Sequence, residues 1–161
     1  MSFEPATEAD IPAIMRIERT PGYELFVGTY EHEVHLTYMR SEAARYFVWR
    51  EDGEVLGFVI FFRMGDPNLI VEAKRIVLAQ TDTGLGRRFV RALMDWVFEE
   101  TDANRLELDC SMENPRALHV YEAEGFAREG VVREVYRTPE GRFVSSALFS
   151  ILRREWEALR R

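Results

Sequence analysis

Apolar residues along the chain fall into short blocks that switch between the two-residue period of strands and the 3.6-residue period of helices. Met1 to Glu4 reads as a short strand, and Thr7 with Glu8 and Asp10 signals a helix whose apolar side is Ile11, Ile14, Met15 and Ile17. After a turn at Thr20-Pro21-Gly22, a second helical stretch from about Thr29 to Ser41 carries Val34, Leu36 and Tyr38 among polar neighbours. Tyr46 to Trp49 and Val55 to Met64 then read as a hairpin around Glu51-Asp52-Gly53-Glu54, and a turn at Gly65-Asp66-Pro67-Asn68 leads into a strand from Leu69 to Leu78.

From Gly84 to about Thr101 the pattern becomes helical, with Leu85, Phe89, Val90, Leu93, Met94, Val97 and Phe98 on one side, and Arg105 to Cys110 alternates as a strand. Asn114-Pro115 opens another helix, because Asn caps well and Pro suits the first helical position, and Gly125 ends it with a left-handed cap. Two strands, Val131 to Arg137 and Phe143 to Leu152, close the chain across Thr138-Pro139-Glu140-Gly141. This order predicts one α/β domain over residues 1–161, a mixed and mostly antiparallel sheet with helices on both faces.

Composition narrows the function. With 161 residues, 47% of them hydrophobic, the chain can bury a substantial core. The net charge of −7 disfavours nucleic acid and anionic membranes and modestly favours a cationic substrate, although solubility alone accounts for it equally well. A single cysteine, Cys110, excludes an internal disulfide, and the three histidines, His32, His35 and His119, do not make a zinc set. His32 and His35, three apart on a helix, read as solvated side chains, so no metal is expected. The start of the chain shows no basic leader followed by an apolar run, and no stretch approaches the ~20 apolar residues that span a bilayer, so the cytoplasm is the expected compartment.

The candidate chemistry gathers at two helix starts. Gln80-Thr81-Asp82-Thr83-Gly84-Leu85-Gly86 leaves a strand and enters a helix, where backbone N–H groups and the helix dipole can hold a phosphate or pyrophosphate. Alone, a Gly-x-Gly turn is equally an ordinary strand-to-helix connection. Arg87, Arg88 and Arg91 crowd the positive end of this helix, while Asp95, Glu99, Glu100 and Asp102 crowd the negative end. A bound polyphosphate would compensate that reversal; pairing of Arg91 with Asp95 one turn on is the alternative. The helix from Asn114 to Gly125 sets Asn114, Ala117, Leu118 and Tyr121 on one side, a polar cap and a phenol beside two apolar residues.

These residues resemble the GCN5-related N-acetyltransferase (GNAT) superfamily, in the branch containing acetyltransferases of ribosomal-protein N-termini, antibiotics and small amines. Ile76-Val77 through Gly84-Leu85-Gly86, Asn114-Pro115-Arg116-Ala117-Leu118 through Tyr121-Glu122 and Gly125-Phe126, and the closing Leu148 to Trp156 carry the resemblance. It implies the acyl-CoA N-acyltransferase fold, with acetyl-CoA as cosubstrate and an amine, small or a protein N-terminus, as acceptor. Ile76, Val77 and Leu78 would pair with the pantetheine arm along a strand splayed from Leu106 to Cys110. Thr83, Gly84, Leu85, Gly86 and Arg87 would surround the pyrophosphate, and Asn114 and Ala117 would meet the cofactor arm. The family's Arg or Gln position is Thr81 here, with Gln80 adjacent and Asp82 following.

By the same resemblance Tyr121 would protonate the departing thiolate and Glu72 would act as base, although Glu72 equally reads as a partner of Lys74 or Arg75 across the sheet. Glu107 and Asp109 face away from Leu106, Leu108 and Cys110 on their strand and read as a solvated face, with recognition of a cationic acceptor as the alternative. Cys110 reads as core filler. The acceptor pocket would come from the region Tyr23 to Tyr38 and the last two strands, and a homodimer is left open. Two other readings stand beside this one. One is a non-catalytic acyl-CoA-binding module. The other is a nucleotide-binding domain, weakened because no Lys-Ser/Thr follows Gly86.

Overall fold

The computed structural model describes residues 1–161. Seven strands form one sheet: β1 (Ser2–Pro5), β2 (Arg45–Glu51), β3 (Glu54–Phe62), β4 (Ile70–Leu78), β5 (Arg105–Ser111), β6 (Ala127–Arg137) and β7 (Phe143–Leu152). Their order across the sheet is β1-β2-β3-β4-β5-β7-β6, and every neighbouring pair is antiparallel except β4 with β5. Five α-helices accompany it: α1 (Ile11–Glu18), α2 (His32–Met39), α3 (Leu85–Glu100), α4 (Pro115–Ala123) and α5 (Arg153–Leu159). This is the mixed, mostly antiparallel α/β architecture that the pattern predicts.

Local signals act where the physics places them. Asp52 and Gly53 adopt φ of 47° and 83°, the double left-handed conformation of a two-residue hairpin turn. The seven apolar residues that set the helical period of α3 are all buried. The Asn114 side chain accepts from the Ala117 amide at 3.2 Å, and Gly125 closes α4 with φ of 95°. The interior strand β3 is apolar on both faces. Val59 and Phe61 pack toward α3 and α4, while Phe58 and Ile60 join Ile14, Ile17, Tyr46 and Val77 on the α1 side.

Three features depart from the sequence reading. A fifth helix, α5, follows β7 directly; Arg153 fastens it to the end of α3 by donating to the Phe98, Thr101 and Ala103 carbonyls at 2.6–2.9 Å. Strand β6 begins at Ala127, four residues before the expected start, because pairing with β7 carries the charged run Arg128-Glu129 into the sheet edge. His35 is fully buried rather than solvated. Its Nε2 lies 3.1 Å from the Glu18 carboxylate and its Nδ1 2.8 Å from the Tyr46 hydroxyl. Since a carboxylate only accepts, Nε2 donates to Glu18, and Nδ1 meets the Tyr46 hydroxyl, so both ring nitrogens are satisfied in the interior.

Candidate active site

The site begins where the sheet comes apart. Strands β4 and β5 pair only from Ile70 with Arg105 to Glu72 with Glu107, and beyond that point they separate. Within β4 the register against β3 shifts from Ile60–Lys74 to Phe58–Val77. The extra residue falls at Arg75, which takes φ of 57°. Such a bulge bends its strand and re-aims side chains. The opening holds a cavity of about 590 Å³.

Its walls come from four directions. Lys74, Arg75, Ile76, Val77 and Leu78 line it from β4, and Asp109, Cys110 and Ser111 from β5. Helix α3 presents its first turn through Gly84, Gly86 and Arg87, and α4 contributes Asn114, Ala117 and Tyr121. Gly84 stands at φ 75° at the head of α3, a left-handed conformation natural to glycine. The free amides of that turn and the positive end of a sixteen-residue helix therefore face the cavity, an arrangement that favours an anion.

Of the predicted cofactor residues, Ile76, Val77, Leu78, Thr83, Gly84, Gly86, Arg87, Asn114 and Ala117 are brought together around this one cavity. Leu85 is instead packed in the core, and its amide reaches the Thr83 hydroxyl at 3.4 Å. The arginine cluster behaves differently from expectation. Arg87 and Arg91 both donate to the carboxylate of Glu124 at the end of α4, Arg91 through Nε at 2.6 Å. Arg88 lies over the Trp49 ring. The counter-charge for two of the three arginines is thus an internal carboxylate whose side chain is 5% exposed. Burial pulls the Glu124 carboxyl upward, and the hydrogen bonds from Arg91 and Arg87 outweigh it and hold the group below the usual carboxylate range. Asp82 turns its charge to Arg116 at 3.1 Å.

Tyr121 lines the cavity with its ring held against Phe126 and Phe149. Burial, assisted by the neighbouring Cys110 and Asp109, pushes its pKa well above the usual phenol range and keeps the hydroxyl protonated. Burial likewise pushes the Cys110 thiol up to about 12, which removes it as a nucleophile near neutral pH. Glu72 lies outside the cavity lining, on the paired part of β4, with Lys74 Nζ 3.9 Å away. The lining carboxylates are Asp82, already met by Arg116, and Asp109.

A strap over residues 20–30 crosses the opening. Tyr23 donates its hydroxyl to the Leu78 carbonyl at 2.7 Å, Ser111 donates to the Leu25 carbonyl at 3.0 Å, and Tyr136 donates to the Glu24 carbonyl at 3.0 Å. One segment is thereby tied to β4, β5 and β6. Ser111, Tyr136 and Arg75 line the cavity although pattern reading gave them no role there, and Asp109, for which acceptor recognition was the second reading after a solvated face, lines it too. For Asp109 the signal was its place on the strand face opposite Leu108 and Cys110.

The profile of the Acetyltransferase (GNAT) family matches residues 11–126. The chain belongs to the GNAT family. Among curated GNAT and related sequences, the kanamycin resistance protein of Rhizobium radiobacter is 38% identical over 63 residues, which are 39% of this chain and 55% of that protein. The aminoglycoside N(6')-acetyltransferase type 1 of Klebsiella pneumoniae is 38% identical over 63 residues, 39% of this chain and 29% of that protein. The spermidine N(1)-acetyltransferase of Escherichia coli K12 is 29% identical over 122 residues, 73% of this chain and 63% of that protein. The matched stretches thus span less than two thirds of these relatives. In structure, the spermidine N-acetyltransferase of Vibrio cholerae in complex with CoA and spermine superposes with a TM-score of 0.85 at 21% identity, covering 97% of each chain. That likeness shows that the GNAT fold is shared over nearly the whole length.

Proposed function

We propose that this GNAT chain is an acetyltransferase that moves the acetyl group of acetyl-CoA directly onto a primary amine. The observation that carries the reading is the cavity in the β4–β5 opening, with the first turn of α3 at one side and the protonated phenol of Tyr121 within it. Relatives named for aminoglycoside and spermidine acetylation support an amine acceptor. Acetyl-CoA supplies an activated thioester. The amides of Gly84 and Gly86 at the head of α3 hold its pyrophosphate, and the backbone of Ile76, Val77 and Leu78 aligns its arm. The Leu78 carbonyl becomes available to that arm when Tyr23 lets go of it. Pairing of Asp82 with Arg116 reduces repulsion toward the pyrophosphate.

Attack on the thioester carbonyl needs a neutral amine, and a lysine-like amine costs roughly 4.6 kcal/mol to deprotonate at pH 7. We assign the base to Asp109 rather than Glu72, because Asp109 lines the cavity and has no ion-pair partner there, whereas Glu72 stands outside it beside Lys74. The ammonium gives one proton to Asp109, directly or through a water, and the neutral nitrogen attacks the thioester carbon. As the C–S bond breaks, Tyr121 O–H protonates the departing thiolate and the second N–H proton returns to the Tyr121 oxygen, leaving the amide, CoA thiol and a phenol, while Asp109 releases its proton to solvent. A free thiol at Cys110 suits the reducing cytoplasm, and no helix is long and apolar enough to cross a membrane.

The test is release of CoA thiol from acetyl-CoA against a panel of primary amines. Amine-dependent turnover that falls in Tyr121→Phe without loss of acetyl-CoA affinity supports the assignment. Tight CoA binding with no turnover on any amine would mark a non-catalytic acyl-CoA-binding module instead.

A further inference from the structure

The lining of the cavity includes an arginine that has no ion-pair partner. Arg63 and Arg105 meet carboxylates, Arg87 and Arg91 share Glu124, and Arg153 is saturated by carbonyls. Arg75 forms no ion pair, and its Nε is buried without a hydrogen-bond partner. It packs on an aromatic face, the guanidinium carbon standing 4.0 Å from the Tyr30 ring centroid. A buried donor left unsatisfied costs on the order of 1–3 kcal/mol, more when charged, so such a group is retained where something else completes it.

The chain makes specific provision for this side chain. The β4 bulge places Arg75 at φ 57°, a conformation an L-residue adopts at a cost, and the Tyr30 face holds the guanidinium plane. Gly28 leaves the space it occupies, since a Cβ there would lie 2.3 Å from Nη1. Glu18, the buried acid nearby, gives one carboxylate oxygen, Oε1, to Arg19, His35 and the Tyr30 amide; its Oε2 is buried without a partner but forms no ion pair with Arg75.

The remaining charges of the lining can be paired off. Arg116 meets Asp82, Arg87 meets Glu124, and Lys74 lies 3.9 Å from Glu72. What remains is one cation, Arg75 on β4, and one carboxylate, Asp109 on β5, on the two strands that form the opening. That pair complements a molecule carrying one ammonium and one carboxylate. From this geometry we propose that Arg75 binds the carboxylate of the acceptor, so that the substrate class is an amine bearing a free carboxylate, an amino acid or a short peptide, with its amine directed to Asp109. A planar guanidinium engages a carboxylate through two parallel hydrogen bonds, which a point-charge lysine does not reproduce.

This inference rests on the acetyltransferase reading, and the experiment separates the two. Matched acceptors with free or amidated carboxylates (glycine, β-alanine and diglycine against their amides) are compared for kcat/KM, with spermidine as the carboxylate-free polycation. Independently of turnover, binding of N-acetylglycine and N-acetylglycinamide in the presence of CoA is measured by calorimetry. The expected result is at least a tenfold preference for the acids in both experiments. Arg75→Gln abolishes it, Arg75→Lys restores part of it, and Gly28→Ala, which displaces the guanidinium without removing its charge, weakens it. Thermal unfolding of each variant verifies that it is folded. Equal use of acid and amide, a best acceptor without a carboxylate, or a preference unchanged in folded Arg75→Gln overturns the proposal. Absence of turnover with every amine overturns the acetyltransferase reading, and the calorimetric comparison still decides the role of Arg75.

Discussion

Replacing Glu124 by glutamine tests how the two cofactor-facing helices are held together. The carboxylate accepts from Arg87 Nε and from Nε and Nη2 of Arg91, clasping the first turns of α3 to the end of α4. Glutamine keeps the volume but offers one carbonyl and turns an NH₂ toward a guanidinium. Breaking a fully buried pair costs about 3–5 kcal/mol. Both arginine side chains here are 53% exposed, so water recovers much of that, and a loss of about 1–2 kcal/mol is expected. For a chain of this size that corresponds to a fall in Tm of roughly 2–8 °C. The pH dependence has a definite sign. A carboxyl held below its unfolded value contributes stability that is present above the unfolded pKa of about 4.5 and is lost as pH falls through the folded one. Thermal unfolding followed by circular dichroism at pH 7 and at pH 3.5 gives the readout. The gap between wild type and Glu124→Gln is expected to be largest at pH 7 and to shrink at the acid end. No gap at pH 7, or one undiminished in acid, would refute the clasp.

Three further outcomes follow from the site. Tyr121→Phe, which keeps the ring contacts to Phe126 and Phe149, should lower kcat by about 10²-fold or more while leaving acetyl-CoA affinity and Tm within error, measured by steady-state kinetics and calorimetry. Asp109→Asn should reduce kcat/KM for acceptors of high amine pKa by at least tenfold and less for weakly basic amines, whereas Glu72→Gln should leave that dependence intact, as a rate-versus-amine-pKa series would show. The Cys110 thiol, pushed up to about 12, should resist iodoacetamide at pH 8 in the native protein and react on unfolding, read by mass spectrometry.

Much of the frame was legible because local chemistry dictates it. The seven apolar positions of α3, the Asp52-Gly53 hairpin, the Asn114 cap and the Gly125 terminator each act within one turn or one hairpin. Pattern reading failed where distant residues decide. His35 sits on a helix with little amphipathic character, and only Glu18 and Tyr46, from other elements, make its burial tolerable. The counter-charge that Arg87 and Arg91 find within the chain is Glu124, which lies 33 or more positions away and is invisible to the spacing within α3. Alternation on β4 and β5 identifies which face a carboxylate takes. It does not tell where two parallel strands part, and that point divides Glu72, on the paired segment, from Asp109, in the cavity. The bulge that sends Arg75 into the site has no sequence mark, since arginine carries no preference for positive φ.

The most direct test of the central claim, that the β4–β5 opening is an acyl-CoA site, is the thermal unfolding of the protein with acetyl-CoA, CoA and ATP in separate titrations. A ligand present at 100 times its Kd stabilises the native state by about 2.7 kcal/mol, which for this chain is a rise in Tm of roughly 5–11 °C. The account predicts that rise for acetyl-CoA and CoA and a much smaller one for ATP; no shift with millimolar acetyl-CoA, or an equal shift with ATP, would contradict it.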